Sequence, residues 1–322
     1  MIVVFGSINA DLVMAVETLP RAGETVLCPS YRVAPGGKGA NQAAAAARAG
    51  AKVAMFGQVG ADGFGDFVVQ ALADAGVDTG GVHRARAPTA CAAIGVDKDG
   101  ENQIIVASGA NSRARADQVP DALLGPETTL VLQLEVPIEE IAALTARARR
   151  SGARIILNAA PAGPVPEAVL RSLDVLVVNG IEAEALCQGI GGQGIEGQGT
   201  GGPEAAGPEA AARGLAETLG VTCAVTLGGE GARAFGPEGA WSVDALRITP
   251  VDTTGAGDAF VGVLAASLDS ARRFEQALHR ASVGAGLACL AEGAQAALPD
   301  GAAIDARLPD LAPARRLLTG LG

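Results

Sequence analysis

The residues best placed to do chemistry form the segment Gly-Ala-Gly-Asp at positions 255–258, directly before the apolar run 259–266. The apolar run predicts a helix, with Thr253 or Thr254 as its N-cap. Because glycines leave no side chain over the first turn, the amides there could bind an anion. A carboxylate such as Asp258 repels that anion unless it removes a proton from an attacking group. The combination suggests phosphoryl transfer to a hydroxyl; the alternative is a capped helix with an ordinary first-turn acid.

A second glycine-rich segment, Gly-Gly-Lys-Gly-Ala-Asn-Gln at positions 36–42, precedes an alanine-rich run that predicts another helix. Its glycines allow a ligand to approach the backbone closely. Lys38 and Asn41 could hydrogen-bond the hydroxyls of a polar substrate. The segment is not a Walker A loop, because the spacing differs and no Ser or Thr follows the lysine. The alternative is a flexible loop with a solvated lysine.

Short apolar strands alternate with helical segments along most of the chain, which predicts a mainly parallel sheet with helices on both faces. Polar residues recur at or just beyond the ends of these strands. Ligands bind at that edge of open α/β sheets, so one edge collects the candidate site. The residues concerned are Asp11, Glu135, Asn158, Asn179, Glu182, Thr226 and Gly228.

Two β-rich segments interrupt the alternation and predict a small separate sheet that serves as a lid or a dimer surface. The first includes an expected strand at 25–27, and the second contains a hairpin turn at 97–100. A final helix is expected at 310–318. The predicted division is an α/β core of residues 1–11, 36–88 and 107–322, a β lid of residues 12–35 and 89–106, and a mobile Gly/Pro-rich insertion loop at residues 189–209.

Composition excludes several classes of function. The net charge of −11 argues against a nucleic-acid partner and suits a protein that attracts metal cations. Five cysteines without a CxxC pair argue against disulfides and zinc. His83 and His279 are too few for a histidine-rich metal site. No signal-like start or membrane-length apolar run is present, so no membrane partner and a cytoplasmic location are expected.

Three segments together resemble the ribokinase-like (PfkB) carbohydrate kinases: Asn-Ala-Asp at 9–11, the glycine segment 36–41, and Asp-Thr-Thr-Gly-Ala-Gly-Asp at 252–258. They occur in that family's order and approximate spacing, and the resemblance runs from residue 2 to about residue 300. It implies a three-layer α/β/α fold with a β lid, and phosphorylation of a sugar by ATP with Mg²⁺. The first two segments look most like those of the family members that phosphorylate D-ribose.

The resemblance also implies roles for individual residues. Asp258 matches the base that activates the sugar's primary hydroxyl, and the backbone of Gly255, Ala256 and Gly257 matches the anion hole. The implied acceptor-binding residues are Asn9, Asp11, Gly37, Lys38, Asn41 and Glu135. The implied nucleotide-binding residues are Asn179, Thr226, Gly228 and Ser282. Glu182 would bind Mg²⁺ through water, and Asp252 with Thr254 would bind a monovalent cation such as K⁺.

Three positions depart from the family pattern. The family's usual Asn-Glu-x-Glu is Asn-Gly-Ile-Glu at 179–182, which keeps the outer pair. The usual Pro-Ser after Gln295 is Ala296-Ala297, so a hydroxyl near the monovalent cation is missing and the K⁺ requirement is in doubt. Ser282 stands where the family often has Asn or His near the adenine.

The expected reaction is phosphorylation of D-ribose to ribose 5-phosphate. Alternatives are a related kinase for fructose, deoxyribose, a sugar acid or a nucleoside. A nucleoside would need aromatic stacking, and only 3% of the residues are aromatic. A non-catalytic sugar-binding protein is a further alternative. The presence of Asp258 argues against it, because a protein that only binds sugar does not need a base. By resemblance, a homodimer through the lid is expected.

Overall fold

The structure, a computed structural model, describes residues 1–191 and 207–317 of the 322-residue chain. Within these residues the strands are β1 (Ile2–Phe5), β2 (Asn9–Ala15), β3 (Tyr31–Gly36), β4 (Val53–Gly60), β5 (Asp78–Ala85), β6 (Ala90–Val96), β7 (Asn102–Ala107), β8 (Thr129–Leu132), β9 (Arg154–Asn158), β10 (Val175–Asn179), β11 (Thr222–Thr226), β12 (Ala232–Gly236), β13 (Gly239–Val243) and β14 (Arg315–Arg316). The helices are α1 (Lys38–Arg48), α2 (Gly63–Asp74), α3 (Ile138–Arg150), α4 (Glu167–Leu170), α5 (Gly180–Gly191), α6 (Gly207–Leu219), α7 (Ala256–Asp269), α8 (Phe274–Ala288) and α9 (Gly301–Arg307).

The larger sheet has ten strands in the order β14-β13-β12-β11-β10-β9-β8-β1-β4-β5. The strands from β11 to β5 pair in parallel, and β12, β13 and β14 add an antiparallel edge. Parallel strands joined by helices place all their carboxyl ends on one side of the sheet. The polar residues that follow these strands are therefore gathered along one edge, as predicted.

Alternate side chains of β1 enter two different cores. Ile2 and Val4 pack with residues of α1, α2, α7, α8 and α9, whereas Val3 and Phe5 pack with residues of α3, α4, α5 and α6. Both faces of the sheet are thus covered by helices, and the strands are buried on both sides. The predicted α/β/α fold with a mainly parallel sheet is confirmed.

A separate four-stranded sheet, in the order β3-β2-β6-β7, is built from the two predicted β-rich segments. The hairpin between β6 and β7 is present, with the Gly100 amide donating to the Asp97 carbonyl. The expected strand at 25–27 is wrong: Leu27 is 90% exposed, and β3 begins later, at Tyr31. Side chains with β propensity do not form a strand where no neighbouring strand pairs with them.

Two further expectations concern the late part of the chain. The final helix expected at 310–318 is wrong over the described residues, because a 3₁₀ turn at Leu308–Asp310 leads to β14, which pairs with β13. Of the loop expected at 189–209, residues 192–206 lie outside the described residues, while its two ends belong to α5 and α6. Among the described residues, no helix is both long enough and apolar enough to cross a membrane.

Candidate active site

Asp258 is the third residue of α7 and is 7% exposed. Asn41 donates its Nδ2 hydrogen to Asp258 Oδ2 over 2.9 Å, and Gln42 donates its Nε2 hydrogen to Asp258 Oδ1 over 2.9 Å. Both donors lie in the first turn of α1. Each oxygen of the carboxylate therefore accepts one neutral amide.

The contact between the first turns of α1 and α7 depends on the close approach of the two helices. A methyl group built on Gly262, one turn after Asp258, would lie 2.5 Å from Ala45 Cβ and 2.6 Å from the Gln42 carbonyl oxygen. Only glycine permits this approach, and the approach brings the carboxylate within reach of the two amides. The glycine was not singled out from the sequence, since nothing local marks it as a helix contact.

A wider amide network surrounds this pair; the sequence analysis named Asn158 at the same edge of the sheet but missed Gln133 and Gln295. Gln295 donates to Asn41 Oδ1 over 3.0 Å, and Gln133 donates to Gln42 Oε1 over 2.7 Å. Gln42 also donates to Asn158 Oδ1 over 3.0 Å. The only sequence signal is that Gln133 and Asn158 lie at the ends of β8 and β9, where site residues collect.

Opposing effects act on the pKa of Asp258. Burial raises it, while the Lys38 ammonium and the amides of Asn41 and Gln42 favour the ionised form, and the net direction is upward. A buried carboxylate with a raised pKa is a stronger proton acceptor than an exposed one. Asp258 is therefore suited to remove a proton from a hydroxyl group placed beside it.

The start of α7 differs from the predicted cap. Its N-cap is Gly255, in the left-handed region at φ 79°, and no side chain bonds there, so the threonine cap is wrong. Ala256 donates its amide to the Thr253 carbonyl over 3.2 Å. Within the described residues, the amides of Gly255 and Gly257 have no partner. These two amides are available to an anion, as the glycines suggested.

Asp11 lies in β2, and its Oδ1 atom is buried without a hydrogen-bond partner in the described part of the chain. Burial raises the pKa of Asp11 to about 6, and the negative charges of Glu135 and Asp258 add to the effect. Nearby, Asn9 Oδ1 accepts a hydrogen from Asn111 Nδ2 over 2.7 Å. An unpartnered buried carboxylate oxygen is an acceptor ready for a ligand hydroxyl.

Glu135 is fixed next to the start of α1. Its Oε2 atom accepts from the Ser7 hydroxyl over 2.5 Å and from the Lys38 amide over 3.1 Å. Gly37, the N-cap of α1, has φ 88°, and a methyl group there would lie 2.8 Å from the Asn9 nitrogen. The glycine segment is therefore required for close packing against the end of β1, which places Lys38 and Glu135 together.

A cavity of about 600 Å³ separates the small sheet from the loop before α7. Asp11 lines it on one side, and Asp252 and Thr254 line it on the other. Asn41 bonds to Asp258, and the charges of Lys38 and Glu135 act on it. The remaining acceptor-binding candidates do not line the cavity; these are Asn9, Gly37, Lys38, Asn41 and Glu135.

A second cavity, of about 380 Å³, lies on the other side of the same loop. Thr253 lines both cavities, so the loop at the start of α7 stands between them. The predicted residues that line the second cavity are Thr226, Gly228, Ala256, Gly257 and Ser282. Asn179 does not line it, but lines a neighbouring open cavity together with Thr226 and Gly228. Two cavities on either side of one loop, with the free amide of Gly257 at the second, can hold a donor and an acceptor of one group.

Asp252 holds the loop before α7. Its Oδ1 accepts from the Thr254 amide over 2.8 Å, and its Oδ2 accepts from the Gly293 amide over 2.9 Å. Although burial acts to raise the pKa of Asp252, the bonds from Thr254 and Gly293 outweigh it and lower the pKa. Ala297 follows this turn without a hydroxyl group.

Asn179 and Glu182 bond reciprocally at the start of α5. The Asn179 amide donates to Glu182 Oε2 over 2.8 Å, and the Glu182 amide donates to Asn179 Oδ1 over 2.8 Å. Burial raises the pKa of Glu182. Within residues 1–191 and 207–317, no group of three His, Cys, Asp or Glu side chains is placed to hold a metal.

Comparison with known proteins places these features in context. The model of the pfkB family carbohydrate kinases matches residues 1–301. The chain is 33% identical over 300 residues to the ribokinase of Haemophilus influenzae, covering 92% of this chain and 94% of that protein. It is 32% identical over 309 residues to the deoxyribokinase of Salmonella typhi, covering 92% and 95%. The structure of Arabidopsis thaliana ribokinase complexed with ribose and ATP superposes with a TM-score of 0.82 at 30% identity, covering 95% of this chain and 98% of that one.

Proposed function

Since the chain belongs to the pfkB family of carbohydrate kinases and is a phosphotransferase with a hydroxyl acceptor, we propose that it transfers the terminal phosphate of ATP to the primary hydroxyl of D-ribose. The product is ribose 5-phosphate. The observation that carries the proposal is the position of Asp258, a buried carboxylate beside the free amides of Gly255 and Gly257, at the start of the helix that follows the loop between two cavities.

In the proposed reaction the sugar extends from the cavity lined by Asp11 to Glu135 and Asp258, and its hydroxyls donate to the Asp11 and Glu135 carboxylates. Asp258 takes the proton of the attacking hydroxyl, which is worth roughly 10²–10⁴-fold in rate for a well-placed base. The amides of Gly255 and Gly257 stabilise the negative charge of the phosphoryl group in transit. The nucleotide occupies the cavity lined by Thr226, Gly228 and Ser282, with Asn179 at its edge.

The metal and cation assignments also belong to the proposal. Mg²⁺ neutralises phosphate charge when it is bound with ATP, and it keeps several waters, which suits a site with few protein ligands. Glu182 Oε2 already accepts the Asn179 amide, so Glu182 would meet Mg²⁺ through water. Asp252 and the Thr254 carbonyl fit a monovalent cation such as K⁺, with one hydroxyl ligand fewer because of Ala297.

The 2-deoxy sugar is the second candidate, because a deoxyribokinase is similar over 92% of the chain. A coupled assay of ADP release over D-ribose, 2-deoxy-D-ribose, D-fructose, sugar acids and nucleosides, with and without K⁺, separates the candidates. We expect the highest kcat/KM with D-ribose. A higher kcat/KM with any other acceptor would contradict the proposed substrate, and no ADP release with any of them would contradict the proposed activity.

A further inference from the structure

Asp258 lies at the centre of two short chains of primary amides. On one side, Gln295 donates to Asn41 over 3.0 Å and Asn41 donates to Asp258 Oδ2 over 2.9 Å. On the other side, Gln133 donates to Gln42 over 2.7 Å and Gln42 donates to Asp258 Oδ1 over 2.9 Å. The same arrangement thus occurs twice, once for each oxygen of the carboxylate.

The outer glutamines favour one of the two ways in which the inner amides can face. A primary amide has nearly the same shape after a half-turn, which exchanges its NH₂ group with its oxygen. If Asn41 or Gln42 turned in this way, an oxygen would face the carboxylate. Gln133 and Gln295 each donate to the inner oxygen and so hold the NH₂ group toward Asp258.

Asn158 favours the same orientation of the Gln42 amide. Its Nδ2 donates to the Val177 carbonyl over 3.1 Å, and a backbone carbonyl can only accept. The Asn158 oxygen therefore faces Gln42 and requires an NH₂ group there, at 3.0 Å. The Asn158 oxygen and the Gln133 NH₂ group therefore favour the same orientation of Gln42.

Burial makes a wrong orientation costly. Gln42 and Gln133 are fully buried, and Asn41 and Gln295 are each 6% exposed, so water cannot easily replace a lost bond. Gln133 Oε1 has no partner in the described residues. A buried glutamine with an unpaired oxygen lowers the stability of the fold. The presence of a glutamine at this position is therefore explained by the hydrogen bond that it donates to Gln42.

We propose that Gln133 and Gln295 are positioning residues, which keep the NH₂ groups of Gln42 and Asn41 turned toward Asp258 and thereby keep the base oriented and charged. The inference rests on the proposed function, because it requires Asp258 to act as the base. Neither outer glutamine touches Asp258, and neither lines the acceptor cavity. Both therefore act through the inner amides.

The first test is Gln133→Met, which keeps the length of the side chain and removes the N–H donor to Gln42. We expect kcat to fall roughly 10- to 100-fold, the effect of disturbing one hydrogen bond to a charged group. The KM for the acceptor should stay within about threefold of wild type, because the cavity lining is unchanged. The acid limb of the kcat–pH profile should move to higher pH, since ionised Asp258 has lost a donor. Gln133→Glu should lose more, because its carboxylate accepts from Gln42 and turns the Gln42 oxygen toward Asp258.

A double-mutant cycle separates positioning from packing. If Gln133 acts through Gln42, the double variant Gln42→Met/Gln133→Met should lose no more kcat than Gln42→Met alone. Additive losses, or an unmoved pH profile, would overturn the proposal. The cycle of Gln295→Met with Asn41→Leu tests the amide chain that ends on Asp258 Oδ2 independently. It also replaces the first cycle if a Gln133 variant does not fold.

Thr145→Val is the matched control. Thr145 lies in α3, and its Oγ1 is a buried polar atom that has no hydrogen-bond partner among the described residues. The kcat of Thr145→Val should equal that of the wild-type protein.

The inference and the proposed function can fail separately. Absence of ADP release by the wild-type protein with every acceptor would contradict the proposed function. Full activity of Asp258→Asn would leave that function standing but would contradict the role of Asp258 as the base, on which the inference rests. Loss of kcat in Asp258→Asn, together with unchanged kcat in Gln133→Met and Gln295→Met, would overturn only the inference.

Discussion

Asp11, a proposed binding residue, lies where its charge costs stability. Its carboxyl group is largely buried, its Oδ1 atom lacks a partner among the described residues, and its pKa is about 6 instead of 3.8. The folded protein therefore binds this proton more tightly than the unfolded chain does. The resulting stability is fully present below pH 3.8 and is lost as the pH rises through about 6. At neutral pH the charged form is held ready for a ligand.

Asp11→Asn should therefore raise the melting temperature at pH 7.5, and the gain should shrink toward pH 4, where the wild-type carboxyl becomes protonated. The same change should raise the acceptor KM at least about tenfold, because a charged acceptor of hydroxyl hydrogens is lost. Thermal unfolding at the two pH values and steady-state kinetics measure both effects. Asp74→Asn, at an exposed position in α2, should change neither. A lower melting temperature for Asp11→Asn at pH 7.5 would contradict this account.

Candidate site residues that belong to a local sequence motif could be predicted from the sequence. Asp258 and Asn41 were proposed for the same site from two glycine segments, and the structure joins them by a hydrogen bond. Gln133 and Gln295 could not be found in this way, because their partners lie far away in the chain and a buried glutamine has no distinctive pattern. Their roles follow only from the packing of β8, α1 and the turn after α8.

At the scale of elements, the site depends on the crossing of α1 and α7 at Gly262. The crossing leaves no room for a side chain, since a methyl group on Gly262 would overlap Ala45 and the Gln42 carbonyl. By contrast, a methyl group on Gly214 in α6 meets its nearest neighbour, Cys187 Sγ, at 4.0 Å. Both glycines thus have helical backbone, and they differ in how closely neighbouring atoms pack against them.

Gly214→Ala should stabilise the protein by about 0.5–1 kcal/mol, because alanine favours the helix more than glycine does. Gly262→Ala should instead destabilise it by about 1–3 kcal/mol and reduce kcat, because separating α1 from α7 lengthens the bonds from Asn41 and Gln42 to Asp258. Denaturant unfolding and kcat provide the measurements. Equal, favourable effects of both substitutions would show that the close crossing is not required.

The elements themselves could largely be predicted from the alternation of apolar strands and helices. The errors lie where long-range pairing decides the outcome. Residues 25–27 have strand-forming side chains but no partner strand, and Arg315–Arg316 pair with β13 where a helix was expected. The predicted cap of α7 was wrong because Gly255 occupies the cap in the left-handed region, and it leaves amides open that a threonine side chain would have occupied.

At the scale of the whole molecule, the small sheet presents an unpaired apolar edge. All six residues of β7 are exposed, and Ile105 is 76% exposed. Long apolar edge strands promote association. We propose that this sheet acts as the lid of the core and that a second copy of the chain covers its edge.

Ile105→Lys should therefore shift the protein from dimer to monomer, because a charge at the centre of the edge opposes pairing. Analytical ultracentrifugation at several concentrations gives the mass directly. Ile181→Lys, at an isoleucine of equal exposure in α5, should remain dimeric. A wild-type protein that is monomeric at all concentrations would contradict the proposed dimer.

The most direct test of the proposed reaction is a rapid-quench, single-turnover measurement of phosphoryl transfer from ATP to D-ribose by Asp258→Asn, with ligand binding measured alongside. We expect that D-ribose and ATP still bind, within about threefold of wild type, and that the transfer rate falls at least about 100-fold, because the neutral amide that replaces the carboxylate cannot take the hydroxyl proton. A transfer rate within about tenfold of wild type would contradict the assignment of Asp258 as the base.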